Sequence, residues 1–354
     1  MGAPNARTGI PSYFWPVVRN QLAPLNRTPI LQQKLLTQLV VNLLTIGILS
    51  RGKCGLSKSV TRYLMAMSAA DLMVIILDLR WRHIPIVHKE HFQLPWSIPV
   101  CIIHAVLLYA VTGCSIWFTV TFTFDRFAAI CCQKLKSKYC SEKTAAVVLG
   151  TVTVLSCLKN ITWYFMLTDW YLLWNDPWYC RVTFDAHVSR VWGTIEFLHH
   201  ILTPGLPFVL VLLLNSLTVR HILVSSRGRR RLRAHSNGES RRDAELESRR
   251  KSIILLLVIS GNFILVWSLS MVYSILSRMP ALTASVFVSP IVSIQFLRSV
   301  SVLMPGFLQE LAFMLQLLCC CTNTAIYAVT QTQFREQLKN VLKYPFIPNI
   351  KFVQ

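Results

Sequence analysis

The dominant feature of this sequence is a series of long apolar segments separated by short polar ones. Most of them approach the roughly 20 residues that a helix needs to cross a bilayer. Only 14% of the 354 residues are charged, whereas soluble proteins carry about 25%. The chain is therefore predicted to be an all-α membrane protein. Its seven apolar blocks, called spans 1 to 7, are predicted at 33–50, 63–79, 98–132, 144–167, 194–220, 251–277 and 306–329.

The positions of the basic residues predict the orientation of the spans. With the N-terminus outside, two thirds of the 36 Lys and Arg residues fall in inner segments, where membrane proteins concentrate them. Residues 1–32 are then extracellular, 33–330 form the transmembrane domain and 331–354 form a cytoplasmic tail. The third inner loop, 221–250, is strongly basic and is expected to be partly disordered. The net charge of +21 would also suit nucleic-acid binding, but the division of basic residues among apolar spans argues against that class.

Span 3 carries chemically distinctive residues at both ends. Cys101 and Arg126 are 25 residues apart, which in a helix is roughly 37 Å, one bilayer thickness plus an interface. Cys180 falls in the outer loop between spans 4 and 5. Both cysteines face the oxidising side of the membrane, so a disulfide between them is expected, with two unpaired thiols as the alternative.

Two further features lie in the outer segments. Asn26 lies in an acceptor sequon for N-glycosylation, which the following Pro29 weakens. The apolar block 281–305 is interrupted by Pro290 and Arg298. It is interpreted as a membrane-hugging outer loop, and a segment that dips into the bilayer is the alternative.

Short motifs occur in spans 1, 2, 3, 5, 6 and 7, and their combined order and spacing are more informative than any one of them. They are Asn42, Leu64 to Asp71, Cys101, Asp125-Arg126-Phe127, Pro207, Trp267, Asn323-Thr324-Ala325-Ile326-Tyr327 and Phe334-Arg335. The set resembles the rhodopsin-class (class A) G-protein-coupled receptors, in which the span 3 motif is similar to Asp-Arg-Tyr and the span 7 motif to Asn-Pro-x-x-Tyr. Spans 2 and 7 are most similar to the orphan group around probable G-protein coupled receptor 139. The resemblance implies a seven-transmembrane helix bundle with a short amphipathic eighth helix.

The resemblance also implies a function and an inner switch. A plasma-membrane receptor would bind an extracellular ligand, either a peptide or a small polar or aromatic molecule, and activate a heterotrimeric G protein. Arg126 would pair with Asp125 at rest and swing towards Asn215 and Tyr327 on activation. The acid that usually restrains this arginine from span 6 is missing, with Arg249 near its place and Glu247 the nearest candidate, so some basal signalling is expected.

A second implied site lies mid-membrane around Asp71. A carboxylate buried there costs several kcal/mol unless it is neutralised or paired. In the family it belongs to a site for sodium and water, and no other cofactor is expected. Ser115 lies eleven residues before Arg126 on the same side of span 3, about three turns away. Asn42, Ser115 and Asn323 are predicted to share the site with Asp71, and a merely structural polar cluster is the alternative.

The ligand is expected between the outer halves of the spans. Leu108 stands where amine receptors carry an aspartate, which argues against an amine ligand. Trp267 would form the floor of the pocket. Ordinary packing between helices is the alternative at each of the candidate positions, which are Leu108, Glu196, His199, His200, Thr203, Trp267, Gln309 and Phe313.

Departures from the family pattern affect the helices that must move. Span 6 has no proline beside Trp267, and span 7 has Thr324 where proline is usual. A helix without a proline kink is straighter, so span 6 is expected to swing less easily.

A transporter or channel with Asp71 as its ion site is the alternative function, although no internal repeat is visible. An intramembrane enzyme is not expected, because no matched catalytic pair lies at a common depth.

Overall fold

The structure confirms a helical protein with several apolar spans. The computed structural model describes residues 29–52, 54–78, 99–132, 134, 136, 139–171, 180–182, 190–232, 253–268, 315, 318–320 and 322–343. Four of its helices are long and apolar enough to cross a membrane, and three shorter apolar helices accompany them in the described part of the chain. The predicted block 281–305 lies outside these residues.

The helices follow the predicted spans in order. Spans 1 to 3 are the helices Pro29–Ser50, Lys58–Asp78 and Pro99–Cys131. Span 4 comprises Glu142–Asn160 and the short helix Thr162–Met166. Span 5 comprises Arg190–His200 and Leu206–Leu232, joined by the π-helical segment Ile201–Gly205. The described parts of spans 6 and 7 are Ile253–Ser268 and Leu318–Thr330, and a C-terminal helix covers Thr332–Lys343.

Two features differ from the sequence-based expectation. The span 5 helix continues to Leu232, so residues 221–232, which were predicted to begin an inner loop, are helical. Leucine and arginine are good helix formers and outweigh the single Gly228. The outer loop after span 4 also contains a small antiparallel ribbon of β1, Leu167–Tyr171, and β2, Cys180–Val182.

The described apolar core consists of three clusters at different depths of the bundle. The largest cluster lies in the inner half and includes Leu64 of span 2, Phe122 of span 3, Leu256 of span 6 and Tyr327 of span 7. A second cluster joins spans 3, 5 and 6 around Trp267. A third cluster joins the outer parts of spans 3, 4 and 5. Polar sites are therefore held between apolar layers.

The C-terminal helix is amphipathic, as its sequence predicted. Phe334 is fully buried, and Leu338 packs against the same inner cluster, whereas Arg335 and Lys339 are exposed. The Phe334 ring meets the Tyr327 ring edge to face at 6.0 Å. This helix is therefore attached to the end of span 7 by packing.

Candidate functional site

The inner end of span 3 holds a buried ion pair. Arg126 Nε donates to Asp125 Oδ2 at 3.0 Å, and a terminal guanidinium nitrogen contacts the same oxygen. The other carboxylate oxygen, Oδ1, accepts from Ser59 Oγ of span 2 at 2.9 Å. Asp125 and Arg126 are 4% and 7% exposed, so both charges are largely removed from water and each depends on the other.

The loop after span 3 closes over this pair. The Cys140 thiol donates to the backbone carbonyl of Asp125 at 3.4 Å. Burial, followed by the nearby Asp125 charge, raises the pKa of this thiol to about 11. Cys140 therefore stays protonated at neutral pH and acts as a donor. Neither Ser59 nor Cys140 was predicted from the sequence; both are small polar residues in otherwise unremarkable segments.

An exposed ion pair connects the inner ends of spans 2 and 4. Glu142 Oε1 accepts from Arg62 Nε at 3.1 Å and from a terminal guanidinium nitrogen of Arg62 at 2.7 Å. Lys58 Nζ lies 3.8 Å from the other carboxylate oxygen, Oε2. Ser141 caps the span 4 helix by accepting from the Thr144 amide. Exposed pairs stabilise by at most about 1 kcal/mol, so this contact orients the ends of the helices more than it stabilises them.

Neither of the two predicted partners of Arg126, Asn215 and Tyr327, contacts it in this structure. Asn215 Oδ1 accepts from Ser260 Oγ of span 6 at 3.1 Å. Tyr327 is fully buried, and within the described part of the chain its hydroxyl has no hydrogen bond of good geometry. In this structure Arg126 is bound to Asp125 rather than to Asn215 or Tyr327.

The mid-membrane site brings together three of its four predicted residues. Ser115 Oγ donates to Asp71 Oδ1 at 2.7 Å, and Asn323 Nδ2 donates to Asp71 Oδ2 at 2.7 Å. Asp71 is 1% exposed. The site thus joins spans 2, 3 and 7 through one carboxylate, which is a hard oxygen donor of the kind that alkali and alkaline-earth cations bind.

The structure places Asn42 differently from the prediction. Its Nδ2 donates to the Cys320 carbonyl at 3.1 Å and to the Gln38 carbonyl at 3.2 Å, and not to Asp71. One turn further along, Thr45 and Thr324 share a hydroxyl–hydroxyl hydrogen bond of 2.8 Å. Thr324 replaces the family's proline, so a residue that was expected to impair motion also joins span 7 to span 1.

Span 6 is linked to its neighbour by a polar contact that the sequence reading missed. Asn262 Nδ2 donates to Thr322 Oγ1 of span 7 at 2.8 Å and approaches Cys319 Sγ at 3.6 Å. In the sequence, the feature that could have indicated this contact was an asparagine within an otherwise apolar span. The segment Ile253–Ser268 is therefore held laterally by hydrogen bonds to both span 5 and span 7.

The outer halves of spans 3, 4 and 5 form an aromatic cluster. Tyr109 stacks on Trp163 with ring centroids 4.7 Å apart, and Trp163 Nε1 donates to His199 Nδ1 at 3.3 Å. The next contact inward is between Lys159 and Thr203, whose hydroxyl oxygen accepts from the ammonium group. His199 and Thr203 were candidates from the sequence, whereas Tyr109, Trp163 and Lys159 were not.

The other predicted pocket residues are only partly described. Leu108 is buried, and Trp267 is buried beside Phe263 with ring centroids 5.9 Å apart. Several predicted positions lie outside the described residues or side chains: Asn26, Cys101, Cys180, Glu196, His200, Arg249, Glu247, Gln309 and Phe313. The disulfide, the glycosylation site and the far wall of the pocket therefore stay predictions.

The described helices, the buried Asp-Arg pair and the mid-membrane carboxylate have a counterpart among known families. Residues 41–327 match the family described as 7 transmembrane receptor (rhodopsin family). The chain belongs to this family. It is a multi-pass membrane receptor of the cell surface, not an enzyme, and the family implies a heterotrimeric G protein as its partner.

Proposed function

We propose that this receptor binds an extracellular peptide or small polar or aromatic molecule and activates a G protein through rearrangement of spans 3, 5, 6 and 7. The observation that carries the proposal is the buried Asp125–Arg126 pair at the inner end of span 3. Signal transfer requires an element that has two arrangements, one of which the ligand favours. The Asp125–Arg126 pair is proposed to be this element.

The direction of the change follows from groups already near the inner face. Arg126 would leave Asp125 and take up new acceptors, of which Asn215 Oδ1 and the Tyr327 hydroxyl are the candidates. Asn215 would first lose its hydrogen bond from Ser260, which frees span 6 from span 5. Tyr327 would leave its packing on Phe334. Each step exchanges one interaction of the resting arrangement for one of the active arrangement.

The test is nucleotide exchange on a purified G protein. Receptor in lipid nanodiscs is expected to accelerate exchange above the rate with empty nanodiscs, and Arg126→Ala is expected to abolish the acceleration. A matched control is Arg51→Ala, which removes an exposed arginine at the same membrane face and should leave exchange nearly unchanged. Equal exchange by wild type and Arg126→Ala, at equal folded receptor, would refute the proposed switch.

We further propose a sodium ion at Asp71. Asp71 and Ser115 would supply charge and oxygen ligands, and the ion would favour the arrangement in which spans 2, 3 and 7 stay joined. Sodium chloride is expected to raise the melting temperature of the receptor more than the same concentration of choline chloride does. Asp71→Asn should remove this difference. A sodium-specific stabilisation that survives in Asp71→Asn would place the ion elsewhere.

The proposal includes three finer assignments. The similarity of spans 2 and 7 to the orphan group around probable G-protein coupled receptor 139 supports membership of that group. Cys101 and Cys180 would form a disulfide that ties β2 to the outer end of span 3, and Asn26 would be glycosylated. The family match favours this receptor over the alternative of a transporter or channel, in which Asp71 would be an ion pathway site.

A further inference from the structure

A lysine occupies the outer half of span 4. Lys159 lies one turn before Trp163 and is half-buried, with its ammonium group directed to the buried Thr203 of span 5. Ionisable residues within membrane spans are costly; they pair with an opposite charge or mark a binding pathway. Within the described side chains no carboxylate forms an ion pair with Lys159. A hydroxyl is neutral, so none of these described side chains compensates the positive charge.

The surroundings of Lys159 combine polar and aromatic side chains from three spans. Spans 4 and 5 are antiparallel here and meet at two successive levels. Trp163 contacts His199 at the outer level, and Lys159 contacts Thr203 at the inner level. Tyr109 of span 3 covers the outer level by stacking on Trp163. One cation and one hydroxyl therefore lie directly below an aromatic wall.

We propose that Lys159 and Thr203 form an anion subsite of the ligand pocket, and that the ligand carries a carboxylate on an apolar or aromatic body. This inference rests on the proposed function, because it assumes that the ligand enters between the outer halves of the spans. The Lys159 side chain joins the candidate residues as the one that selects the charge of the ligand.

The chemistry of the subsite defines the ligand class. The lysine ammonium has three donors, and the Thr203 hydroxyl can donate once a carboxylate oxygen is within reach. Hydrogen bonds between an ammonium and a carboxylate are about twice as strong as neutral ones. A flat apolar body would pack against the outside of the Tyr109–Trp163 stack. An amine without an acid would meet the Lys159 charge and be repelled.

The test measures binding without a G protein. The thermal unfolding of purified receptor in nanodiscs is followed with phenylacetate and with its neutral analogue phenylacetamide, each in the millimolar range. Phenylacetate is expected to raise the melting temperature of the wild type by about 3 °C, and phenylacetamide by much less. Lys159→Met should remove the phenylacetate shift, and Lys159→Arg should keep it. Thr203→Val should reduce the shift.

Three results would overturn the subsite. They are the absence of a phenylacetate shift in the wild type, an equal shift with phenylacetamide, and an unchanged shift in Lys159→Met. The comparison of the two compounds on the wild type needs no variant, so it decides the matter even if Lys159→Met does not fold. Nucleotide exchange that still depends on Arg126, together with no phenylacetate shift, would refute the subsite and leave the proposed switch intact.

Discussion

Among single residues, Arg126 is restrained by its predicted partner Asp125, which Ser59 in turn holds in place. The missing acid at the base of span 6 predicted a loose resting state. Asp125 nevertheless has both carboxylate oxygens occupied, one by Arg126 and one by Ser59. The restraint therefore comes from spans 2 and 3. The sequence predicted the pairing of Arg126 with Asp125, but it could not show the Ser59 contact, because Ser59 and Asp125 are 66 positions apart.

Substitution of Asp125 tests this restraint. Asp125→Asn leaves a buried guanidinium without its counter-charge, and breaking such a pair costs about 3–5 kcal/mol. The variant should melt at a lower temperature and, because Arg126 is released, should accelerate nucleotide exchange without ligand. Ser59→Ala removes only one hydrogen bond, so its effects should have the same sign and be smaller. A basal exchange rate for Asp125→Asn at or below that of the wild type would contradict the restraint.

The reactivity of Cys140 has a defined dependence on pH. Thiolate is the species that alkylates, and burial raises the pKa of Cys140 from 9.0 to about 11. A raised pKa keeps the thiol neutral, so at pH 7.5 its thiolate fraction should be about 100-fold below that of a thiol with the ordinary value. Its alkylation by iodoacetamide, followed by mass spectrometry, should keep rising up to about pH 11. A plateau near pH 9 would contradict the buried position.

At the scale of helices, spans 1 and 7 are joined by two polar contacts. Asn42 binds the Cys320 carbonyl, and Thr45 binds Thr324 one turn further along. The sequence showed the replacement of proline by Thr324 but not the partner that makes this replacement useful. The order of the spans and the approximate ends of spans 1 to 4 were predictable, because hydropathy over about 20 residues reports directly on membrane insertion. The span 5 helix, in contrast, continues past its predicted end to Leu232.

A double-mutant cycle measures the contact between Thr45 and Thr324. Valine replaces threonine with nearly the same shape, so Thr45→Val and Thr324→Val remove the hydroxyl pair with little change in packing. The coupling free energy of unfolding is expected near 0.6 kcal/mol, the average for hydrogen bonds between membrane helices. The pair Thr45→Val and Thr151→Val is the control, since Thr151 is exposed on span 4. Equal coupling in the two cycles would contradict a specific contact.

At the scale of the whole molecule, three layers follow one another across the bundle. The outer layer holds the aromatic cluster and Lys159, the middle layer holds Asp71, and the inner layer holds Arg126. Asp71 and Arg126 were identified from the sequence because charged residues within apolar spans stand out. Lys159 lies in an apolar span as well, but only the fold shows that it faces Thr203, 44 positions away. Local patterns cannot report such distant contacts.

In the proposed switch, loss of the hydrogen bond from Ser260 to Asn215 lets the inner end of span 6 move away from the bundle when a G protein binds. The distance between spin labels on bioorthogonal side chains at Lys143 of span 4 and Ile254 of span 6, both exposed, measures this movement. Nucleotide-free G protein should shift the distribution to longer distances in the wild type and leave Arg126→Ala unshifted. An unchanged distribution in the wild type, with the G protein bound, would refute the switch.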